Sequence, residues 1–131
     1  MVVDRRRKVV FVVDDDPGFR KSIALLLGKC GFSPELFPSA EAFLSTAKFT
    51  QAGNCCIILD IQLDGMSGIE LGKKLALAGN ASPIIYITGN DNDVARKAAL
   101  QQGCIAYLAK PFPANTLIEA IDQALSRYDK L

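Results

Sequence analysis

The sequence predicts a parallel α/β domain, a three-layer sandwich of one five-stranded sheet between two layers of helices. Two observations carry this. Five short apolar runs alternate along the chain with five stretches of helical apolar spacing, the pattern of repeated strand–helix–strand units. Cys55 to Leu59 is apolar without a break, too short for a surface helix and too apolar for a half-exposed strand. It reads as a strand covered on both faces, as parallel sheets require. Right-handed crossovers then bring every strand's carboxyl end to one edge.

The elements follow in order. Val9 to Val13 forms the first strand, ended by Asp14-Asp15-Asp16. Asp16 is placed to cap a helix whose first turn holds Pro17 and whose apolar positions are Phe19, Ile23, Leu26 and Leu27; Gly31 stops it. Phe32 to Phe37, interrupted by Pro34, is a weak strand suited to a sheet edge. Ser39 caps a second helix with Ala42, Phe43 and Ala47 inward and Glu41 and Lys48 facing water. After a loop at 49–54 holding Gly53 and Asn54, the third strand runs from 55 to 60. A helix from about Gly68 to Ala78 ends at Gly79-Asn80. Pro83 opens the fourth strand, Ile84 to Thr88, and Asp91 is the expected cap of a helix reaching Gln102, where Gly103 stops it. Ile105 to Ala109 is the fifth strand. Pro113 starts the last helix, with Leu117, Ile118, Ile121 and Leu125 as its stripe.

Composition narrows the function classes. A chain of 131 residues, half of them hydrophobic, fits one domain with one core. A formal charge of +1 gives no electrostatic case for nucleic-acid binding by the domain as a whole. The local run Arg5-Arg6-Arg7-Lys8 reads as a solvated lead-in to the first strand. No apolar run approaches the ~20 residues of a membrane span, and the N-terminus lacks a signal-peptide pattern, so a cytoplasmic location is expected. Cys55 and Cys56 are adjacent and so point to opposite faces, while Cys30 and Cys104 have no paired spacing. With no histidine in the chain, a zinc site is disfavoured and His-dependent nucleophilic mechanisms are excluded. Reduced, buried thiols are expected.

The shared strand edge gathers chemistry. It receives Asp14, Asp15 and Asp16 from the first strand, Asp60 from the third, Thr88 from the fourth and Lys110 from the fifth. Taken singly, each has a structural reading: a helix cap, a strand-end carboxylate, a self-satisfied strand threonine, a surface lysine. Their convergence favours a site. Carboxylates packed together repel, which raises their pKa values in the absence of a cation, and an all-oxygen set with room for water suits Mg²⁺. An ammonium and a hydroxyl beside such a cluster suit a transferring phosphoryl group.

Four motifs in order now mark a family: Asp14-Asp15 after an apolar strand, Leu59-Asp60, Ile87-Thr88-Gly89 and Lys110-Pro111-Phe112. From Val9 to about Tyr128 the chain resembles a response-regulator receiver domain of bacterial two-component systems. Met66-Ser67-Gly68 and Ala106 to Phe112 are most similar to regulators of the nitrogen-fixation and LuxR-like type. The resemblance implies a flavodoxin-like fold with strand order 2-1-3-4-5, and one receiver domain over 1–131 with its core at about 8–128.

It also implies roles. Asp60 is the phosphoacceptor, taking a phosphoryl group from a partner sensor histidine kinase or phosphotransfer protein. Asp15, Asp60 and the backbone carbonyl of Gln62 hold Mg²⁺, with Asp14 acting through water. Lys110 and Thr88 bind the phosphoryl group, Thr88 and Tyr107 form the switch, and Gln62 and Asn90 tune phosphoryl lifetime. A cis Lys110–Pro111 bond is expected, with readout on the fourth helix, fifth strand and fifth helix, and a possible homodimer through the fourth and fifth helices. Leu131 is either a natural end or a cut before a DNA-binding domain, which would make the whole protein a transcription regulator. One position departs from the family pattern: Asp64 stands where a proline is usual, adding negative charge and freeing the turn. Two alternatives stay open. One is an unphosphorylated scaffold of the same fold. The other is a haloacid-dehalogenase-like phosphatase, for which Gln62 occupies the position of the required second aspartate.

Overall fold

The computed structural model describes residues 8–46 and 55–126. In chain order the elements are β1 (Val9–Val13), α1 (Pro17–Lys29), β2 (Ser33–Phe37), α2 (Ala40–Leu44) and β3 (Cys55–Asp60). There follow α3 (Gly68–Leu77), β4 (Ile84–Thr88), α4 (Asp93–Gln101), β5 (Ala106–Ala109) and α5 (Ala114–Ser126). All strand pairs are parallel and the order is β2-β1-β3-β4-β5. Among the described residues β2 lies at an edge and pairs only with β1, which is where a strand containing Pro34 can sit without breaking a ladder on both sides.

Period-two alternation divides the strands between two cores. Val10, Val12, Cys56, Ile58, Ile85 and Ile87 pack with Ile23 and Leu27 of α1 and with Leu117, Ile121 and Leu125 of α5. On the other face, Phe11, Val13, Cys55, Ile57, Leu59 and Tyr86 meet Phe43 of α2, Leu71 and Leu75 of α3, and Ala99 of α4. Cys55 and Cys56 thus fall on opposite faces, and both are buried thiols outside any disulfide. Burial of all six β3 residues explains the unbroken apolar run. Phe43 packs edge-on to Phe11 and Phe37, with ring centroids 5.5 and 5.1 Å apart, and such pairs contribute roughly 0.5–1.5 kcal/mol each beyond burial.

The helix caps Asp16 and Ser39 stand as expected, and Gly31 and Gly103 take positive φ angles of 92° and 78° just past their helices. Four local expectations are corrected. Asn92, not Asp91, caps α4: its side-chain oxygen accepts the Ala95 N–H at 2.9 Å, while the Asp91 carboxylate is drawn to Arg96. β5 begins at Ala106 rather than Ile105. The second helix stops at Leu44, because Ser45 and Thr46 turn back to hydrogen-bond the Ala42 carbonyl. Lys8 is 8% exposed rather than solvated, because it immediately precedes a strand flanked on both sides. Arg5 to Arg7, Ala47, Lys48 and the 49–54 loop lie outside the described residues.

Candidate functional site: an acidic cluster at the carboxyl edge of the sheet

Backbone pairing continues one residue past several strands and positions the site. The Asp14 N–H donates to the Phe37 carbonyl at 3.1 Å, Ile61 N–H to Ile87 at 2.9 Å, and Lys110 N–H to Thr88 at 2.7 Å. Asp14, Asp60 and Lys110 are therefore held by the sheet rather than by free loops. The start of α1 is tied to the same edge by the Arg20 guanidinium, which donates to the Asp14 carbonyl at 2.6 Å. Gly68 opens α3 against the end of β3. A Cβ there would overlap the Asp60 carbonyl, so only glycine lets the helix start so close to the site.

One carboxylate oxygen from each of Asp14, Asp15 and Asp60 lies within 4.8 Å of the other two. Asp14 is fully buried and Asp60 is 5% exposed. The Lys110 ammonium donates to Asp14 Oδ2 at 2.8 Å and to Asp60 Oδ2 at 3.3 Å. Asp60 Oδ1 accepts the Gln62 N–H at 2.9 Å. Burial first, and then the charge of Asp14, push the Asp60 carboxyl up to about 6, against the opposing pull of the Gln62 N–H and Lys110. Repulsion between carboxylates, expected from the sequence, is therefore real but second to desolvation. Burial also draws the Lys110 pKa down, but the hydrogen bond it donates to Asp14 and the charges of both acids outweigh it and leave it raised.

One ammonium bridges two of the three carboxylates, and Asp15 has no hydrogen bond or salt bridge among the described residues. Such an all-oxygen set with surplus negative charge fits a hard divalent cation of the Mg²⁺ type.

Thr88 is fully buried, and its Oγ1 accepts the Asn90 N–H at 3.0 Å. Gln62 and Asn90 have exposed side chains beside Asp60 and Thr88 in sequence, each joined to its neighbour's side chain by a backbone N–H. Tyr107 is turned outward, its hydroxyl donating to Asp91 Oδ1 at 3.0 Å. Asp64 is exposed, and the loop it occupies turns at Gly65, φ 81°. The Lys110–Pro111 bond is cis.

Two features of the site were not anticipated from the sequence. Phe19, assigned to the core stripe of α1, lies with its ring centroid 3.9 Å from the Lys110 ammonium and packs edge-on to Phe112 at 6.3 Å. Arg96 forms a two-pronged contact with Asp91 at 2.6 and 2.8 Å and lies 5.8 Å from the Tyr107 ring centroid, closing a three-residue clasp around the outward tyrosine. Arg96 stands five residues after Asp91, a spacing that could have suggested the pair, whereas nothing local in the sequence pairs Phe19 with a residue 91 positions away.

Comparison with known proteins agrees with this geometry. Residues 10–122 match the family profile of the response regulator receiver domain. The chain is 34% identical over 120 residues to the response regulator protein TmoT of Ectopseudomonas mendocina, covering 92% of this chain and 54% of that protein. It is 36% identical over 115 residues to the transcriptional regulatory protein FixJ of Rhizobium meliloti, covering 88% and 55%. The chain thus spans about half the length of the curated relatives it matches. Among solved structures, the N-terminal portion of FixJ superposes with a TM-score of 0.83 at 33% identity, covering 96% of this chain and 97% of that one. The response regulator StyR gives a TM-score of 0.84 at 37% identity, covering 93% and 61%. With its carboxylate cluster and lysine at the carboxyl edge of a five-stranded parallel sheet, this chain belongs to the response regulator receiver domain family, whose members are phosphoacceptor signalling modules.

Proposed function

We propose that Asp60 is the phosphoacceptor of this domain. The observation that carries the reading is the placement of the Asp60 carboxylate between Asp14, Asp15 and the Lys110 ammonium. A carboxylate oxygen of Asp60 attacks the phosphorus of a phosphohistidine on a sensor histidine kinase or phosphotransfer protein. The N–P bond breaks as the acyl phosphate forms, and the imidazole leaves with its electron pair and takes a proton from solvent. Lys110, already 3.3 Å from Asp60, meets a phosphoryl oxygen, and the Thr88 hydroxyl, whose oxygen accepts the Asn90 N–H, donates its own proton to another. Asp15, Asp60 and the Gln62 carbonyl are the residues to hold Mg²⁺, with Asp14 acting through water. The ion would neutralise charge on the phosphoryl oxygens.

Thr88 and Tyr107 then act as the switch, and Gln62 and Asn90 set phosphoryl lifetime from the rim. The affected face comprises α4, β5 and α5, where α4 exposes Val94 and Leu100 and offers a surface for a homodimer. Because the chain spans about half of relatives that include transcriptional regulatory proteins, we place it at the signal-receiving end of a cytoplasmic transcription regulator whose DNA-binding part lies C-terminal to it. No helix among the described residues is long and apolar enough to cross a membrane.

Intact mass after incubation with acetyl phosphate and Mg²⁺ tests the acceptor assignment. Wild type should gain one phosphoryl group and Asp60→Ala none. A gain in both would show that another side chain is modified, and no gain in wild type would favour the scaffold reading.

A further inference from the structure

A cavity of about 520 Å³ opens at the edge of the sheet opposite Asp60. It lies where the end of α3, the 80–83 segment and the end of α4 meet the start of β4. The volume is within the ~300–1,000 Å³ typical of small-molecule sites. Ala76, Leu77 and Ile84 supply apolar wall, and Leu77 is 88% exposed, so apolar surface is left in water at the mouth. Tyr86 and Gln102 line it too, but they are already satisfied. The Tyr86 hydroxyl donates to the Gln102 side-chain oxygen, and Gln102 Nε2 donates to the Ile69 carbonyl at 3.0 Å. They shape the site rather than offer it free donors. Gly72 keeps that arrangement possible, since a Cβ there would overlap the Tyr86 hydroxyl.

The charge and donor inventory of the wall is one-sided. Among the described residues, Lys73 is the single charged group of the wall and has no salt bridge, and no carboxylate lines the cavity. Asn80 also lines it. Its side-chain oxygen accepts the Ser82 N–H at 2.9 Å, but its Nδ2 is buried without an acceptor among the described residues. A buried donor left unpaired is destabilising, and native structures satisfy nearly all such groups with protein, water or ligand. Cys104 lines the wall as well, and burial pushes its thiol pKa up.

We propose that this cavity is a binding site for a small organic monoanion with an apolar body, such as a medium-chain carboxylate. Its carboxylate lies toward Lys73 and Asn80, and its chain covers Ala76, Leu77 and Ile84. The site is separate from the phosphorylation chemistry and does not depend on it. It nevertheless abuts Gln102, where α4 ends, and Tyr86, two residues before Thr88 on β4.

Backbone amide NMR of the whole chain, titrated separately with octanoate and with 1-octanol, tests this. Octanoate should shift the amides of Gly72, Ala76, Ser82 and Cys104 saturably and bind more tightly than octanol. Lys73→Gln should weaken octanoate roughly threefold to fivefold, the scale of one exposed charge pair, and leave octanol unchanged. Ala81→Trp, which fills the mouth from an exposed position, should abolish both titrations. Leu77→Glu, fully at the surface, should repel octanoate selectively and serves as a second variant should the tryptophan disturb the fold. The proposal is overturned by the absence of saturable shifts, by titrations that survive both variants, or by octanol binding wild type as tightly as octanoate.

Discussion

Replacing Asp60 by Asn should make the metal-free domain more stable, and increasingly so as pH rises. Both states of the chain titrate this carboxyl, but the folded state holds its proton to about pH 6 while the unfolded chain releases it near 3.8. Between those values the native state binds more protons than the unfolded one, so stability falls as pH rises through the window and the full cost stands above it. The rise from 3.8 to about 6 corresponds to about 3 kcal/mol at pH 8 and about 1 kcal/mol at pH 4.5. Asn keeps an oxygen for the Gln62 N–H and removes the charge, while Lys110 retains Asp14 at 2.8 Å and is not stranded. Urea unfolding of wild type and Asp60→Asn in EDTA at the two pH values reads the effect. The gap between the proteins should widen by about 2 kcal/mol in favour of Asn on going from pH 4.5 to 8. A gap that stays constant, or that turns against Asn at high pH, would refute the argument that burial and Asp14 strain the ionised carboxylate. Added Mg²⁺ should stabilise wild type at pH 8 and narrow the gap.

Three further outcomes follow from the geometry. Phe19→Leu keeps apolar bulk against Phe112 but removes the ring face beneath Lys110, a contact worth about 1 kcal/mol. Phosphorylation by acetyl phosphate should slow roughly fivefold, with Phe19→Tyr near wild type; equal rates for Leu and Tyr would rule out a role for the ring face. Gly68→Ala puts a Cβ into the Asp60 backbone carbonyl, so it should cost about 2 kcal/mol or more in urea unfolding and shift the Asp60 and Ile61 amides. Asp91→Ala releases the clasp on Tyr107. Because the charges involved are half-exposed, stability should change by less than about 1 kcal/mol, yet side-chain NMR couplings of Tyr107 should show rotamer averaging that wild type lacks.

Much of this molecule was legible in its chain because the deciding physics is local. Val9 to Val13 and Ile84 to Thr88 begin and end where their apolar runs do. Asp16 and Ser39 cap because a short side-chain oxygen next to a helical stripe has few better partners. The site's outline was legible for a related reason. Once strands are parallel, strand-end residues must share an edge, so Asp14, Asp15, Asp60, Thr88 and Lys110 converge whatever the details of packing. Asp91 marks the limit: capping could go to either of two adjacent residues, and the choice fell to Asn92 because Arg96 and Tyr107 claimed the aspartate.

The sequence by itself determined the alternation of elements, the double-sided burial of β3, and the identity of the groups at the carboxyl edge. Periodicity, caps and turns act over a few residues and need no partner to be read. Only the tertiary structure decided which carboxylate carries the strain of burial, that Phe19 supports Lys110 across 91 positions, that Tyr107 is held outward, and that a cavity with one cation and an unpaired amide lies below β4. Those are matters of desolvation, rotamer choice and void space, and each depends on side chains brought together from distant parts of the chain.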